Sequence, residues 1–303
     1  MEPGGELRER VRRRVERGAA GAAGLLAPAL PFAAQAGAAA AGNFAGLLGV
    51  QALGLALRVS CATPVLAPVL GAAGVAGAAA LAGQCSRDMA RWGRTGERPT
   101  LRGFAAALAA PGNRREVALD AVIGTAFFLG LGGRFKAVLP SDIRFPGANA
   151  HLSVPARGQQ YITESVREEL QRIFRRFGCH HCGSRRGAVI GDHMPMNKLA
   201  SAKRGGALRA LDRVPGVKRM LRFLNLGPVK QRFYPQCHAC FRKQGAAARL
   251  NRKRLVWHFA GASPVYLGSV VVGLRHLDST VPPAAFLRRA RALAAEAPKL
   301  PKL

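Results

Sequence analysis

The chain has 303 residues, enough for two domains with a core in each. A formal net charge of +30, from 46 Lys+Arg against 16 Asp+Glu, favours anionic partners, nucleic acid or acidic lipid headgroups, although compositional bias in the coding sequence is a competing source of Arg. Of six cysteines, four stand in two C-x-x-C pairs, which argues against the dispersed disulfide framework of a small secreted domain and for a metal in a reducing compartment.

Residues 1–17 read as a basic amphipathic helix: Leu7, Val11 and Val15 recur every four positions, and Arg8, Arg10, Arg12, Arg13, Arg14 and Arg17 fill the spaces between. Such a helix suits an anionic membrane surface, a targeting segment or a solvated end; Glu2, Glu6, Glu9 and Glu16 count against a transit peptide.

Residues 18–136 are read as an apolar helical region. Gly18 to Leu57 is a run of 40 residues without a charge, Val59 to Ser86 is a second charge-free run, and Val117 to Gly133 contains only Asp120. A membrane-spanning helix needs roughly 20 apolar residues, so two runs exceed that length and the third is borderline. Pro28, Pro31, Pro64 and Pro68 should bound or kink helices, and the Ala and Gly content suits close helix packing in lipid. A soluble Ala-rich bundle is the opposing reading; a 40-residue stretch without charge decides for the membrane, because soluble helices carry charge on their outer face. Arg17, Arg58, Arg87, Arg91 and Arg134 flank the runs, and the strongest positive block follows the third, so the C-terminal part should face the cytosol or an equivalent compartment such as the mitochondrial matrix. Cys61 and Cys85 sit in apolar surroundings as small hydrophobes and are assigned no role.

Residues 137–160, punctuated by Pro140, Pro146, Gly147, Pro155 and Gly158, read as a linker. Thr163 to Phe177 reads as a helix capped by Thr163, with Val166, Leu170, Ile173 and Phe177 as its buried stripe and Arg167, Arg172, Arg175 and Arg176 on its wet face. It delivers the chain to Cys179-His-His-Cys182.

The second pair is Cys237-His-Ala-Cys240, 54 residues further on. A short turn between two cysteines lets both thiolates reach one tetrahedral ion, and two such turns close a structural zinc site of Cys179, Cys182, Cys237 and Cys240. His180, His181 and His238 could each replace a cysteine as ligand, but are expected to be exposed turn residues. Between the pairs, Val189 and Ile190 suggest a short strand leading into Asp192-His193, although an Asp-His pair at that point could equally cap a helix beginning near Asn197.

A cysteine knuckle, a strand ending in Asp-His, and a second knuckle opening a helix resembles the HNH (ββα-metal) nuclease superfamily over roughly residues 161 to 250. The phrase from Gln231 to Gly245 is similar to the second knuckle of members that include bacterial toxin domains. The resemblance implies His193 as general base and Asp192 as ligand of a second, catalytic metal, Mg or another divalent cation. Phe241 stands where many members carry Asn or His as a further metal ligand, which argues against activity; Gln244, one turn on, is a candidate to face the site.

From Arg157 to Arg254 there are 23 Lys+Arg against 5 acids, a distribution that phosphate backbones reward without base specificity and that anionic lipid rewards as well. Few aromatics interleave, so stacking on single-stranded bases is not indicated. Leu255 to Leu274 reads as a strand pair on the zinc module or a further membrane segment, with Ser263-Pro264 favouring the strands. Residues 281–303 hold one helix, with Arg288, Arg289 and Arg291, and a frayed tail.

The expected fold is mainly α: an Ala/Gly-rich transmembrane region followed by a small α+β, HNH-like zinc domain over 161–280. The expected function is a membrane-tethered, intracellular zinc module that binds nucleic acid, with phosphodiester hydrolysis as an added activity. The alternative is a non-enzymatic multi-pass membrane protein whose zinc module is an adaptor or binds anionic lipid.

Overall fold

A computed structural model describes residues 27–156, 162–194, 231–250, 252–258 and 271–296. The basic segment 1–17, most of the insert between the cysteine pairs (195–230, including Asn197) and the C-terminal tail lie outside the described residues. The fold is mainly helical, with small sheets. Helices are α1 (Leu30–Ala56), α2 (Leu66–Thr95), α3 (Leu101–Ala109), α4 (Arg114–Gly130), α5 (Glu164–Phe177), α6 (His238–Arg249) and α7 (Pro283–Glu296). Strands are β1 (Ser141–Asp142), β2 (Val154–Pro155), β3 (Val189–Met194), β4 (Arg232–Cys237) and β5 (Leu255–Val256).

The chain divides into two compact units, one comprising Met1–Gly46, Ala76–Phe128 and Val265–Leu303, the other Leu47–Val75 and Leu129–Pro264. The apolar runs do form long helices. Ala27–Ala56, with a short 3-10 turn at its start, and Leu66–Thr95 are each 30 residues and apolar enough to cross a membrane; α4, the third run, is 17 residues. Pro31 and Pro68 stand in the first turns of α1 and α2, where a missing N–H costs nothing.

In the first unit several polar side chains of the helices turn inward. Gln35 and Asn43 of α1, Gln84, Ser86 and Asp88 of α2, and Asp120 of α4 are buried, while Leu119, Val122 and Phe127 of α4 and Phe44 of α1 are exposed. Small side chains let the helices approach: a Cβ on Gly46 would strike the Ala78 backbone, and one on Gly124 would strike Ala79. Asp120, 0% exposed, takes Arg87 Nη1 at 2.7 Å, Arg275 Nη1 at 2.6 Å and His276 Nε2 at 2.7 Å. A carboxylate so placed is tolerated only because cations face it. Gly83 makes the space, since a Cβ there would overlap Asp120 Oδ2. Trp92 and Phe286, in edge-to-face contact with centroids 5.1 Å apart, fasten α7 to α2.

The second unit contains both cysteine pairs. Residues 137–156, expected as a linker, are instead part of its interior. Leu139 and Ile143 are fully buried, β1 pairs antiparallel with β5 (Ser141 opposite Val256), and β2 pairs with β4 (Val154 opposite Phe233). The prolines shape this segment; they do not release it. Leu255–Val256 is a strand as expected, but residues 271–275 are helical and belong to the first unit, so the Val-rich stretch supplies no second strand there. Gln51 of α1 pairs with the backbone of His258, accepting its N–H at 3.1 Å, and His258 Nε2 donates to Leu139 O at 2.8 Å. Thr163 is at the N-cap of α5, but its hydroxyl meets Ser165 at 3.2 Å and caps nothing. The buried stripe of α5 is Leu170, Ile173 and Phe174; Phe177 lies at its margin.

Two expectations follow. Gly83→Ala should lower the thermal midpoint of the full chain in detergent, by the equivalent of about 1–3 kcal/mol for overpacking, whereas Gly77→Ala, on the same helix with open space around it, should not. Burial holds the His258 imidazole below its ordinary pKa of 6.5, so it is neutral in the fold. Its contribution to stability is full above that pH and is lost as the pH falls through the folded value. Thermal melts from pH 7.5 to 5.5 should therefore decline more steeply for the unaltered chain than for His258→Gln.

Candidate metal centre

Helix α5 ends at Gly178, whose φ of 77° lies in the left-handed region that favours glycine, and the chain turns directly into the first cysteine pair. That knuckle is tied down by its own backbone: Cys179 N–H donates to Ser184 O at 2.8 Å, Gly183 N–H to Cys179 O at 2.8 Å, and His180 N–H to Pro235 O of β4 at 2.9 Å. β3 and β4 form an antiparallel pair with Val189 opposite Cys237 and Met194 opposite Arg232. Cys237 ends β4 and occupies the N-cap position of α6, and Cys240 follows one turn into that helix. Two knuckles far apart in sequence thereby face each other.

All four sulfurs lie within 4.8 Å of one another, with Cys182 Sγ and Cys237 Sγ 3.6 Å apart. A tetrahedral zinc with Zn–S of about 2.3 Å requires sulfurs about 3.8 Å apart. The four-thiol donor set, the spacing and the burial of Cys179, Cys237 and Cys240 all fit such an ion. The sulfurs share protons among themselves. Hydrogen bonding with Cys179 brings the Cys182 thiol down to about 7 and lowers Cys237, while Cys179 and Cys240 are held up by their sulfur neighbours. Ile143, Phe174, Ala247 and Val256 pack around the cluster and keep water away.

The two histidines between Cys179 and Cys182 are not exposed turn residues; both are 0% exposed. The knuckle packs against β4, so its two middle side chains turn inward. His180 lies tilted against His181, with centroids 3.8 Å apart, and stacks on Tyr234 at 5.3 Å. His238, in the second knuckle, is exposed as expected. Burial pushes His180 down to about 3 and His181 well below the ordinary value, so both are neutral.

Asp192 and His193 lie in β3 as the strand reading required, but successive strand residues project from opposite faces. Asp192 points to the knuckle. Its carboxylate accepts His180 Nε2 at 3.1 Å and Gln244 Nε2 at 2.9 Å on each oxygen, and burial raises its pKa to about 6. His193 points the other way and stacks on Phe233, its cross-strand neighbour, with centroids 4.2 Å apart. The pair is therefore not gathered at one point. Phe241 is 47% exposed, beside His238, while Gln244 faces Asp192, as its place on the helix suggested. Gln236, missed at the sequence level, donates to Gln244 Oε1 at 3.2 Å and fixes which end of that amide meets the carboxylate.

Among the described residues of this unit, Arg175, Arg176, Arg185, Arg186, Arg242, Lys243, Arg249, Arg252 and Arg254 are exposed. Arg167 and Arg172 on α5 are engaged by Glu164 and Glu169. Comparison with protein-family models, curated proteins and solved structures finds no match, so the site rests on its own geometry.

Replacing Cys237 by Ser should abolish tight zinc binding at the cluster and unfold the second unit, because closed thiolate sites contribute folding free energy directly. Zinc content and amide hydrogen exchange across β3, β4 and α6 measure both effects together.

Proposed function

We propose that this protein is a membrane-tethered, zinc-organised module of the HNH (ββα) type that binds nucleic acid through a basic surface. The observation that carries the reading is the convergence of the four cysteines where the β3–β4 hairpin meets α6. That order of strand, strand and helix, with a knuckle at each side, is what the resemblance to the superfamily implied. Support for the membrane comes from the two long apolar helices α1 and α2, and from α4, which buries Asp120 while exposing Leu119, Val122 and Phe127. Buried amides and carboxylates with exposed Leu, Val and Phe would be costly in water and are the expected arrangement in lipid. A thiolate-held zinc requires a reducing compartment, which favours an intracellular membrane with this unit on the reducing side.

Nucleic-acid binding draws on the exposed Arg and Lys of α6 and of the segments beside the knuckles, together with the basic insert between them. Such a surface contacts phosphates and leaves base identity unread. Hydrolysis is less well supported. A general base and a metal ligand must meet at one phosphate, and His193 and Asp192 lie on opposite faces of β3. The same facts, with Phe241 at the usual ligand position, favour as second reading a non-enzymatic adaptor in which the basic surface meets anionic lipid.

The test uses the full chain in nanodiscs of neutral lipid. Binding to duplex DNA and to RNA should weaken steeply with salt, and Arg242→Ala with Lys243→Ala should reduce the slope of log K against log salt by about two. No cleavage should appear with Mg²⁺ or Mn²⁺. Metal-dependent cleavage lost in His193→Ala would restore the hydrolytic reading. Binding only to vesicles containing anionic lipid would establish the adaptor, and absence of salt-sensitive binding to either partner would sink both.

A further inference from the structure

The first knuckle supplies two imidazoles as well as two sulfurs. His180, His181 and Asp192 bring three donor atoms within 4.8 Å of one another. The two rings are not equivalent. His180 Nδ1 accepts the Gly147 amide hydrogen at 3.1 Å, which leaves its proton on Nε2, and that nitrogen donates to Asp192 Oδ2. Its hydrogen bonds are complete. His181 is fully buried, and neither of its ring nitrogens has a hydrogen-bond partner among the described residues; its Nε2 lies 3.9 Å from Asp192 Oδ2. A buried polar group left unpaired is unfavourable, so an orphan of this kind is where an ion or a water would sit.

The carboxylate opposite is built to receive a cation. Gln244 Nε2 holds both of its oxygens, Gln236 orients Gln244, and His180 holds Oδ2 from the other side. These are neutral donors. Among the described residues no Lys or Arg forms an ion pair with Asp192, unlike Asp120, which has two arginines. Imidazole nitrogen and carboxylate oxygen bind a divalent transition ion at about 2.0–2.2 Å, so two such ligands on one ion stand about 3–4 Å apart. The distance from His181 to Asp192 falls in that range.

We propose that His181 Nε2 and Asp192 bind a second divalent transition-metal ion, with His180 and Gln244 as the hydrogen-bond partners that hold the carboxylate in place. The ligand comes from the knuckle and not from the helix position occupied by Phe241. The proposal rests on the cysteine-held zinc, which fixes the knuckle, and not on nucleic-acid binding. A water in the same place would also satisfy His181 and is the alternative to be excluded.

The full chain, reduced, stripped of metal and kept in detergent, is titrated with Co²⁺. The first equivalent should produce thiolate-to-cobalt charge-transfer absorption. A second should bind with ligand-field absorption and no added charge transfer. His181→Ala and the isosteric Asp192→Asn should each bind one equivalent while keeping the charge-transfer band, which reports that the knuckle has folded. His180→Ala should retain two equivalents but weaken the second by about 10–100-fold, as loss of an outer-shell partner does. One equivalent in the unaltered chain, or two undiminished equivalents in both His181→Ala and Asp192→Asn, overturns the proposal. Absence of the charge-transfer band in the unaltered chain removes the cysteine site itself, and the second site with it.

Discussion

Four thiols drawn to one point hold the second unit together. The sheets around them are small, two strands and three, and the two-stranded one could not be stable alone in water. The free energy of a structural zinc site, about 10–16 kcal/mol in small peptides at neutral pH, is as large as the whole net stability of an ordinary domain, about 5–15 kcal/mol. An ion of that strength, held by these four thiols, would fasten the end of α5, the β3–β4 hairpin and the start of α6 to one another. The histidines between Cys179 and Cys182 lie beside that cluster, turned inward where the knuckle packs on β4.

The first unit is held by a different principle. Its helices meet through Ala and Gly, so the backbones come close, and the polar groups that a soluble bundle would turn outward are turned inward. Asp120 with Arg87, Arg275 and His276 is the extreme case: a buried charge made tolerable by partners from two other segments, in space that Gly83 leaves open. Large apolar side chains are left on the outside.

Much of this was legible in the sequence where a single local rule applies. The charge-free runs announced long apolar helices, the alternation of Val166, Leu170 and Ile173 with Arg announced α5, and the spacing of Cys179, Cys182, Cys237 and Cys240 announced a shared metal. What was not legible depends on tertiary partners. Residues 137–156 carry prolines and glycines that normally punctuate a linker, yet they pair with β4 and β5, strands about eighty or more residues away. His180 and His181 look like solvent-facing turn residues until β4 is seen to lie across the knuckle. Asp192-His193 reads as one site in sequence because the residues are adjacent; in a pleated strand adjacency is what separates them. The His-His doublet was the one available signal of a second polar cluster, since two imidazoles inside a thiolate turn are more than zinc binding needs.

The second unit brings together a four-cysteine cluster, a hairpin and helix behind it, and exposed Arg and Lys beside them. The most direct measurement is zinc release from the full chain as its thiols are titrated with a mercurial reagent under native conditions. If the four cysteines enclose one ion, zinc appears in step with their modification and reaches one equivalent when four knuckle thiols have reacted. With Cys61 and Cys85 replaced by alanine, knuckle thiols that titrate without releasing zinc would mean that the two pairs do not share an ion.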